Sequence, residues 1–350
     1  MSKTLLDKPA QWLAGNGADA EIVFGCRGTL ARNLADLPFP GRCADDEKRT
    51  VEERVLAILE SNSTFASGQY YPIADLSVRD TRLLIERNLI SHDLVESQGA
   101  RGVFVADDQS MSVMINERDH MRMGAMTAGF QVPEVWARLS QIDDQFSQGL
   151  DYAFDDRHGY LTAAMDEVGT GFRASVFVHL PGLTASGKIL GLEKSIREQH
   201  HMLEGVFGPV SSAPGHMYAV SNRATLGRSE EEIIYHVRAL TTTLLTQERA
   251  ARDVMLSENE NGLLDRVGRA LGIAREAHLL EFNEALDLLS WIRLGIAVHR
   301  LEGFSIRSVN EILMASQPAH VAQAVGESAD AVARSAARAD LFRKRFAKEA

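Results

Sequence analysis

The chain reads as an α+β protein, an antiparallel sheet flanked by helices and followed by an all-helical C-terminal part. Three observations predict it. Four short runs, residues 102–105, 112–115, 174–178 and 217–220, are rich in the hydrophobic and β-branched residues that suit a pleated surface. Segments with helical spacing lie unevenly between them. From about Ser257 onward only helical segments follow, with turn signals at Gly272, Gly303 and Gly326 and a break expected at Pro318.

The elements follow in order. Residues 46–60 place Val51, Val55, Leu56 and Ile58 toward one side of a helix. Ser229 followed by Glu232 is a capping-box signature, and Ile233, Ile234, Val237 and Leu240 carry the helix it opens through about Met255. Residues 263–271, 283–298, 309–315 and 329–346 read as the helices of the C-terminal part. The last is rich in Ala and Arg, as a solvated surface helix would be. The division expected is residues 1–256 and 257–350.

Composition narrows the function classes. The chain has 350 residues, 45% hydrophobic and 24% charged, which fits a soluble globular protein of about two domains. A net charge of -11 argues against a generic nucleic-acid binder, which needs clustered Lys and Arg, and suits solubility or basic partners. Cys26 and Cys43 are too few for a disulfide framework, so a reducing compartment is expected. The opening residues lack the apolar run of a signal peptide, and no run approaches the ~18 residues of a membrane helix. A cytoplasmic protein is expected, without membrane or nucleic-acid partners.

The most informative stretch is Asn116-Glu117-Arg118-Asp119-His120-Met121-Arg122. It resembles the Asn-Glu-Glu-Asp-His-x-Arg segment of the ATP:guanidino phosphotransferases, and further stretches resemble that family in the same order. These are Cys26-Arg27-Gly28-Thr29 through Arg32-Asn33, then Gly159-Tyr160-Leu161-Thr162 with Gly169-Thr170-Gly171-Phe172-Arg173-Ala174, and Ser221-Asn222 with Leu226-Gly227-Arg228-Ser229-Glu230. Toward the C-terminus, residues 288–295 and Gln317-Pro318-Ala319-His320 are similar to the bacterial protein-arginine kinase branch, whose helical domain creatine kinase-like members lack. The resemblance spans about residues 22–343. It implies a guanidino-kinase catalytic domain followed by a helical domain.

Guanidino phosphotransfer needs fixed cations to clamp a Mg-triphosphate and carboxylates to orient and deprotonate a guanidinium. The resemblance maps phosphate-binding arginines onto Arg27, Thr29, Arg122, Arg173 and Glu204, so Arg27, Arg122 and Arg173 remain while Thr29 and Glu204 mark lost positions. On the guanidinium side the motif carboxylate is Arg118, a permanent cation. The second acidic residue is Pro209, and the reactive cysteine aligns with Ala164. Glu117 and Asp119 are the residual catalytic candidates; with His120 they read either as those or as a structural network. Asp166 and Glu167 read either as a replacement base or as a solvated loop face. Arg118 and Glu204, reversed in opposite senses, are expected to pair. Gly169-Thr170-Gly171 lacks the Lys of a phosphate-binding P-loop. His200-His201 has no partner at metal-ligand spacing and reads as a polar surface patch, so no metal site is expected. Cys26 reads as a buried small hydrophobe.

The resemblance also carries a phosphoarginine-binding motif onto Arg334-Ser335-Ala336-Ala337-Arg338-Ala339. Its two arginines, one turn apart, could face one phosphate, although Ser335 replaces an Asp. The expected function is a pseudokinase with a regulatory, adaptor or phosphoarginine-binding role in arginine-phosphorylation or protein-quality-control circuitry. One alternative is an active ATP-dependent protein-arginine kinase using Glu117, Asp119, Asp166 or Glu167 as base. Another is a modulatory subunit of an active paralogue. ATP and Mg²⁺ are the cofactors if nucleotide binding is retained. The partners expected are arginine-phosphorylated proteins, an active kinase paralogue, or a second copy of the chain.

Overall fold

The computed structural model describes residues 10–326 and 328–347; the first nine residues, read above for a signal segment, lie outside them. In chain order come β1 (Val23–Arg32), α1 (Asp45–Ser61), β2 (Gly68–Pro72), α2 (Val78–Glu86), α3 (His92–Glu96), β3 (Gly102–Ala106), β4 (Met111–Ile115) and β5 (Met121–Ala128). Then come α4 (Val132–Ser147), the small hairpin β6 (Phe154–Asp155) and β7 (Gly159–Tyr160), β8 (Phe172–His179), α5 (Pro181–Ala185), α6 (Ile189–Glu198), β9 (His201–Gly205) and β10 (Met217–Asn222). Helices follow: α7 (Glu230–Glu276), α8 (Phe282–Ala297), α9 (Ile306–Ala315), α10 (Pro318–Val325) and α11 (Ala331–Phe346).

Eight strands form one antiparallel sheet in the order β2-β3-β4-β5-β1-β8-β10-β9. All four expected strands are present. β5 was not foreseen, because Met121-Arg122-Met123-Gly124-Ala125-Met126 has little β-branched character. Alternation along β1 separates the two faces of the sheet. Cys26 and Leu30 join Met123, Ala125, Ala174 and Val176 in the main core, under α1, α4 and α7. Arg27 and Thr29 point the other way, beside Arg122 on β5 and Arg173 on β8. That polar strip at the centre of an otherwise covered sheet is where chemistry can occur.

The C-terminal helices close one side of this face. Phe24 and Met217 share a core with Leu286, Leu289, Ile292, Ile312 and Phe342. Arg293, 1% exposed, donates to the carbonyls of Ala20 (2.6 Å) and Glu21 (3.1 Å) and lies over the Phe24 ring. These bonds tie α8 to the segment entering β1. The Ser229–Glu232 capping box forms as expected. Its helix passes Met255 and breaks at Asn259 (φ -151°, ψ 57°), whose Oδ1 accepts from Gly262 N–H and restarts it. Pro318 begins α10 rather than ending a helix, because the first helical position needs no N–H donor. The last helix is not solvated all round: Ser335, Arg338, Ala339, Phe342 and Phe346 are buried.

Candidate functional site

Three pieces of backbone bring the polar strip together. The first is the turn between β4 and β5, closed by Asn116 N–H donating to His120 O at 2.9 Å. Asn116 takes φ 55°, a left-handed conformation that Asn tolerates better than most residues, and its amide donates to Lys48 O and Ala100 O at 2.8 Å each. The second is β1, whose neighbour Asn33 donates to Asp119 Oδ1 (2.7 Å) and accepts from His120 N–H (2.9 Å). The third is the loop of residues 161–171. Ala163 N–H donates to Asp119 Oδ1 at 2.7 Å, Ala31 N–H to Gly171 O at 3.0 Å. Gly171 has φ 66°, and a Cβ there would lie 2.6 Å from Ala31 O, so only glycine lets the loop sit this close.

The result is a compact ionic cluster around Arg122. Its Nε donates to Glu117 (2.7 Å), and Nη1 and Nη2 donate to the two oxygens of Glu167 (3.1 and 2.6 Å). Nη2 also lies 3.4 Å from Asp119. Glu117, Asp119 and Glu167 are 4%, 0% and 6% exposed, so these are interior pairs. Glu117 accepts a further hydrogen bond from the Ser91 hydroxyl. Arg173 donates to Asp166 (3.1 Å), with its Nε 3.7 Å from Glu167. Arg27 makes no hydrogen bond or ion pair among the described residues.

Titration follows this geometry. Burial alone would raise Glu167, but the hydrogen bonds and charge of Arg122, and then Arg173 and Arg118, outweigh it and hold the carboxyl below its ordinary value. Burial raises Asp119, against the opposing bonds from Ala163 and Asn33 and the charge of Arg122. Burial pulls His120 down to about 4, so the ring is neutral. Its Nδ1 accepts from Leu34 N–H (3.0 Å), which leaves Nε2 to carry the proton toward Pro38 O (2.9 Å). Burial and the nearby Arg122, partly offset by Glu117, lower Arg27 to about 10. A base must present a free lone pair to its substrate. Asp119 and His120 are enclosed and fully bonded, and Glu117 and Glu167 are spent on Arg122.

Several expectations need correction. Arg118 does not pair with Glu204; its nearest acid is Asp93 at 3.6 Å, an exposed pair of little energetic weight. Glu204 instead faces a separate cleft with Pro209, Arg197 and Arg223. Glu167 is no solvated loop residue but the bidentate partner of Arg122. His201 is buried, with an Nε2 that has no partner among the described residues, so of the two only His200 belongs to the surface. Thr29 is buried opposite Arg173, and Ala164 is buried with its carbonyl accepting from Thr162. Cys26 is buried as expected, and burial pushes its thiol up to about 12. Ser91 and Asp93 were missed. They sit some twenty-five residues before the motif, and nothing in their own sequence marks them as its partners.

Arg334 and Arg338 differ in kind. Arg338 is 4% exposed, donating to Ser316 O and Leu280 O at 2.8 Å each, and Ser335 accepts from Leu280 N–H. Arg334 is half-buried, has no bonded partner among the described residues for its side chain, and borders a cleft of about 590 Å³ with Arg79, Arg82 and His92. Arg338→Met should therefore cost roughly 2–4 kcal/mol in urea unfolding, since two buried carbonyls lose a charged donor. Arg334→Met should stay within about 0.5 kcal/mol of the parent. Equal effects would show that Arg338 is not a structural pin.

Known proteins share this architecture. The sequence profile described as "ATP:guanido phosphotransferase, C-terminal catalytic domain" matches residues 50–251, and "Protein-arginine kinase McsB C-terminal domain" matches residues 260–350. A protein-arginine kinase of Moorella thermoacetica is 36% identical over 345 residues, covering 98% of this chain and 99% of that one. One from Symbiobacterium thermophilum is 37% identical over 340 residues, covering 96% of each. Among solved structures, lombricine kinase superposes with a TM-score of 0.60 at 28% identity, covering 69% of this chain and 70% of that one. A duplicated taurocyamine kinase from Schistosoma mansoni, at 22% identity, has a TM-score of 0.61 over 70% of this chain and 35% of its own, a likeness of fold. No helix among the described residues is long and apolar enough to cross a membrane.

Proposed function

Because the chain belongs to the ATP:guanido phosphotransferase family, we propose that it is a pseudokinase of the protein-arginine kinase type, acting by binding rather than by phosphoryl transfer. One observation carries this reading: Arg122 is enclosed by three carboxylates of its own chain, Glu117, Asp119 and Glu167. The family's Mg-triphosphate requires several fixed cations that are free to meet phosphate. Here Arg122 and Arg173 are already neutralised, Thr29 and Glu204 supply none, and of these positions Arg27 alone is uncommitted among the described residues. The residues present do not fit Mg-ATP. The guanidinium side fits no better. Arg118 would repel a second guanidinium, costing on the order of 4 kcal/mol at ~4 Å and an effective dielectric of about 20.

The partner we assign is an arginine-phosphorylated protein, because the cleft beside Arg334 and Arg82 offers cations to a phosphate in a chain that is acidic overall. An active paralogue or a second copy of the chain remains as the modulatory form of the same reading.

A second reading, an active protein-arginine kinase, is favoured by relatives of that printed name that match nearly end to end. The two separate in one assay. The purified chain is incubated with Mg-ATP and an arginine-rich protein, and acid-labile phosphoarginine is sought by mass spectrometry beside an active relative. No product above the enzyme-free control is expected. Phosphoarginine that disappears in Arg173→Met would overturn the pseudokinase reading.

A further inference from the structure

We infer that the cleft between Arg27 and the C-terminal helices is a binding site for a small aromatic monoanion, a planar apolar body carrying one carboxylate. This rests on the pseudokinase reading, since a chain that still held Mg-ATP would set phosphates on Arg27. The cleft measures about 650 Å³, within the usual range of small-molecule sites. Its walls include Trp12, Phe24, Phe177, Phe207 and Met314, drawn from the turn at Gln11–Leu13 before β1, the sheet, the loop after β9 and α9. Trp12 and Phe177 already lie 6.4 Å apart in a tilted pair, so a planar guest finds ring faces and edges to pack against.

Charge selects the guest further. Arg27 is the one arginine of the catalytic strip without a hydrogen bond or ion pair among the described residues. Burial and repulsion from Arg122 and Arg173 make its charge costly, and an anion would relieve both. Two carboxylates also border the cleft, Asp93 and Glu86. Asp93 is held by Arg118, and Glu86 by His320 and the N–H of Ala319. A ligand with several negative charges would meet these acids with, among the described residues, only one free arginine in return. A single carboxylate matches the single arginine.

The test uses the full chain, isothermal titration calorimetry and two probes of one shape, 2-naphthoate and its neutral amide, 2-naphthamide. Naphthoate should bind roughly ten- to a hundred-fold more tightly than naphthamide, the range for a hydrogen bond to a charged group. Arg27→Met should erase that difference, and Arg27→Lys should restore most of it; thermal melts of both variants report that they fold. Equal affinity for the two probes, or an undiminished preference in Arg27→Met, overturns the inference. Binding of neither naphthoate nor Mg-ATP overturns it while leaving the pseudokinase reading in place. Mg-ATP binding that Arg27→Met abolishes overturns both.

Discussion

Replacing Arg122 with Met should destabilise the protein by roughly 3–5 kcal/mol at pH 7, the cost of leaving buried carboxylates without their cation. Glu117, Asp119 and Glu167 would then share an interior space with no ion-paired cation inside it, only Arg173 at its edge and the weaker fields of Arg27 and Arg118. The loss should depend on pH in a particular sense. In the parent, Glu167 is held below its ordinary value, so its contribution is present above about pH 4.5 and is lost as pH falls through the folded value. Without Arg122, burial raises Glu167 and raises Asp119 further, and the folded state takes up protons more readily than the unfolded chain. The variant should therefore gain stability relative to the parent as pH falls from 7 toward 5. Urea unfolding of both proteins across that range checks it, and a penalty independent of pH would show that the three acids are not acting as a charged set.

The second large effect is a gain of binding. Glu167→Gln releases the Arg122 fork and relieves Arg173, while Glu204→Arg places a cation where the resemblance expects one. Together they make the chain three charges more positive, one at position 167 beside Arg122 and two at position 204 in the separate cleft. Inorganic triphosphate with Mg²⁺ should bind the double variant roughly ten- to a hundred-fold more tightly than the parent, with most of the gain from Glu167→Gln. Glu204 is exposed and its charge is screened, so Glu204→Arg alone should do less. Calorimetric titration at low and moderate salt measures both. An unchanged affinity in Glu167→Gln would mean that Arg122 is held by Glu117 and Asp119 too firmly to turn toward a phosphate.

Much of the fold was legible. The runs at residues 102–105, 112–115, 174–178 and 217–220 became strands because their side chains suit a half-covered sheet. The Ser229–Glu232 pair opened its helix because cap hydrogen bonds are local. β5 escaped notice because methionine, glycine and alanine carry little strand preference, and its pairing with β1 and β4 does the work. Within the site, Arg27, Arg122 and Arg173 were readable from ordered motifs. The role of Glu167 was not. It lies 45 residues from Arg122, and only the close seating of its loop at Gly171 turns a loop acid into a buried partner.

By itself, the sequence determined the chemical inventory. It held a family's framework, arginines at 27, 122 and 173 where the resemblance expects phosphate contacts, and Arg118 and Glu204 where it expects the opposite charge. Residue identity settles such matters, since a guanidinium cannot serve as a proton acceptor wherever it is placed. Tertiary structure alone decided which charges meet. It gave Arg118 to Asp93 rather than Glu204, committed Arg122 to three acids, set Arg338 on two backbone carbonyls, and left Arg27 facing an apolar cleft. Coulomb energies depend on distance and desolvation, and neither is written in the order of residues along a chain.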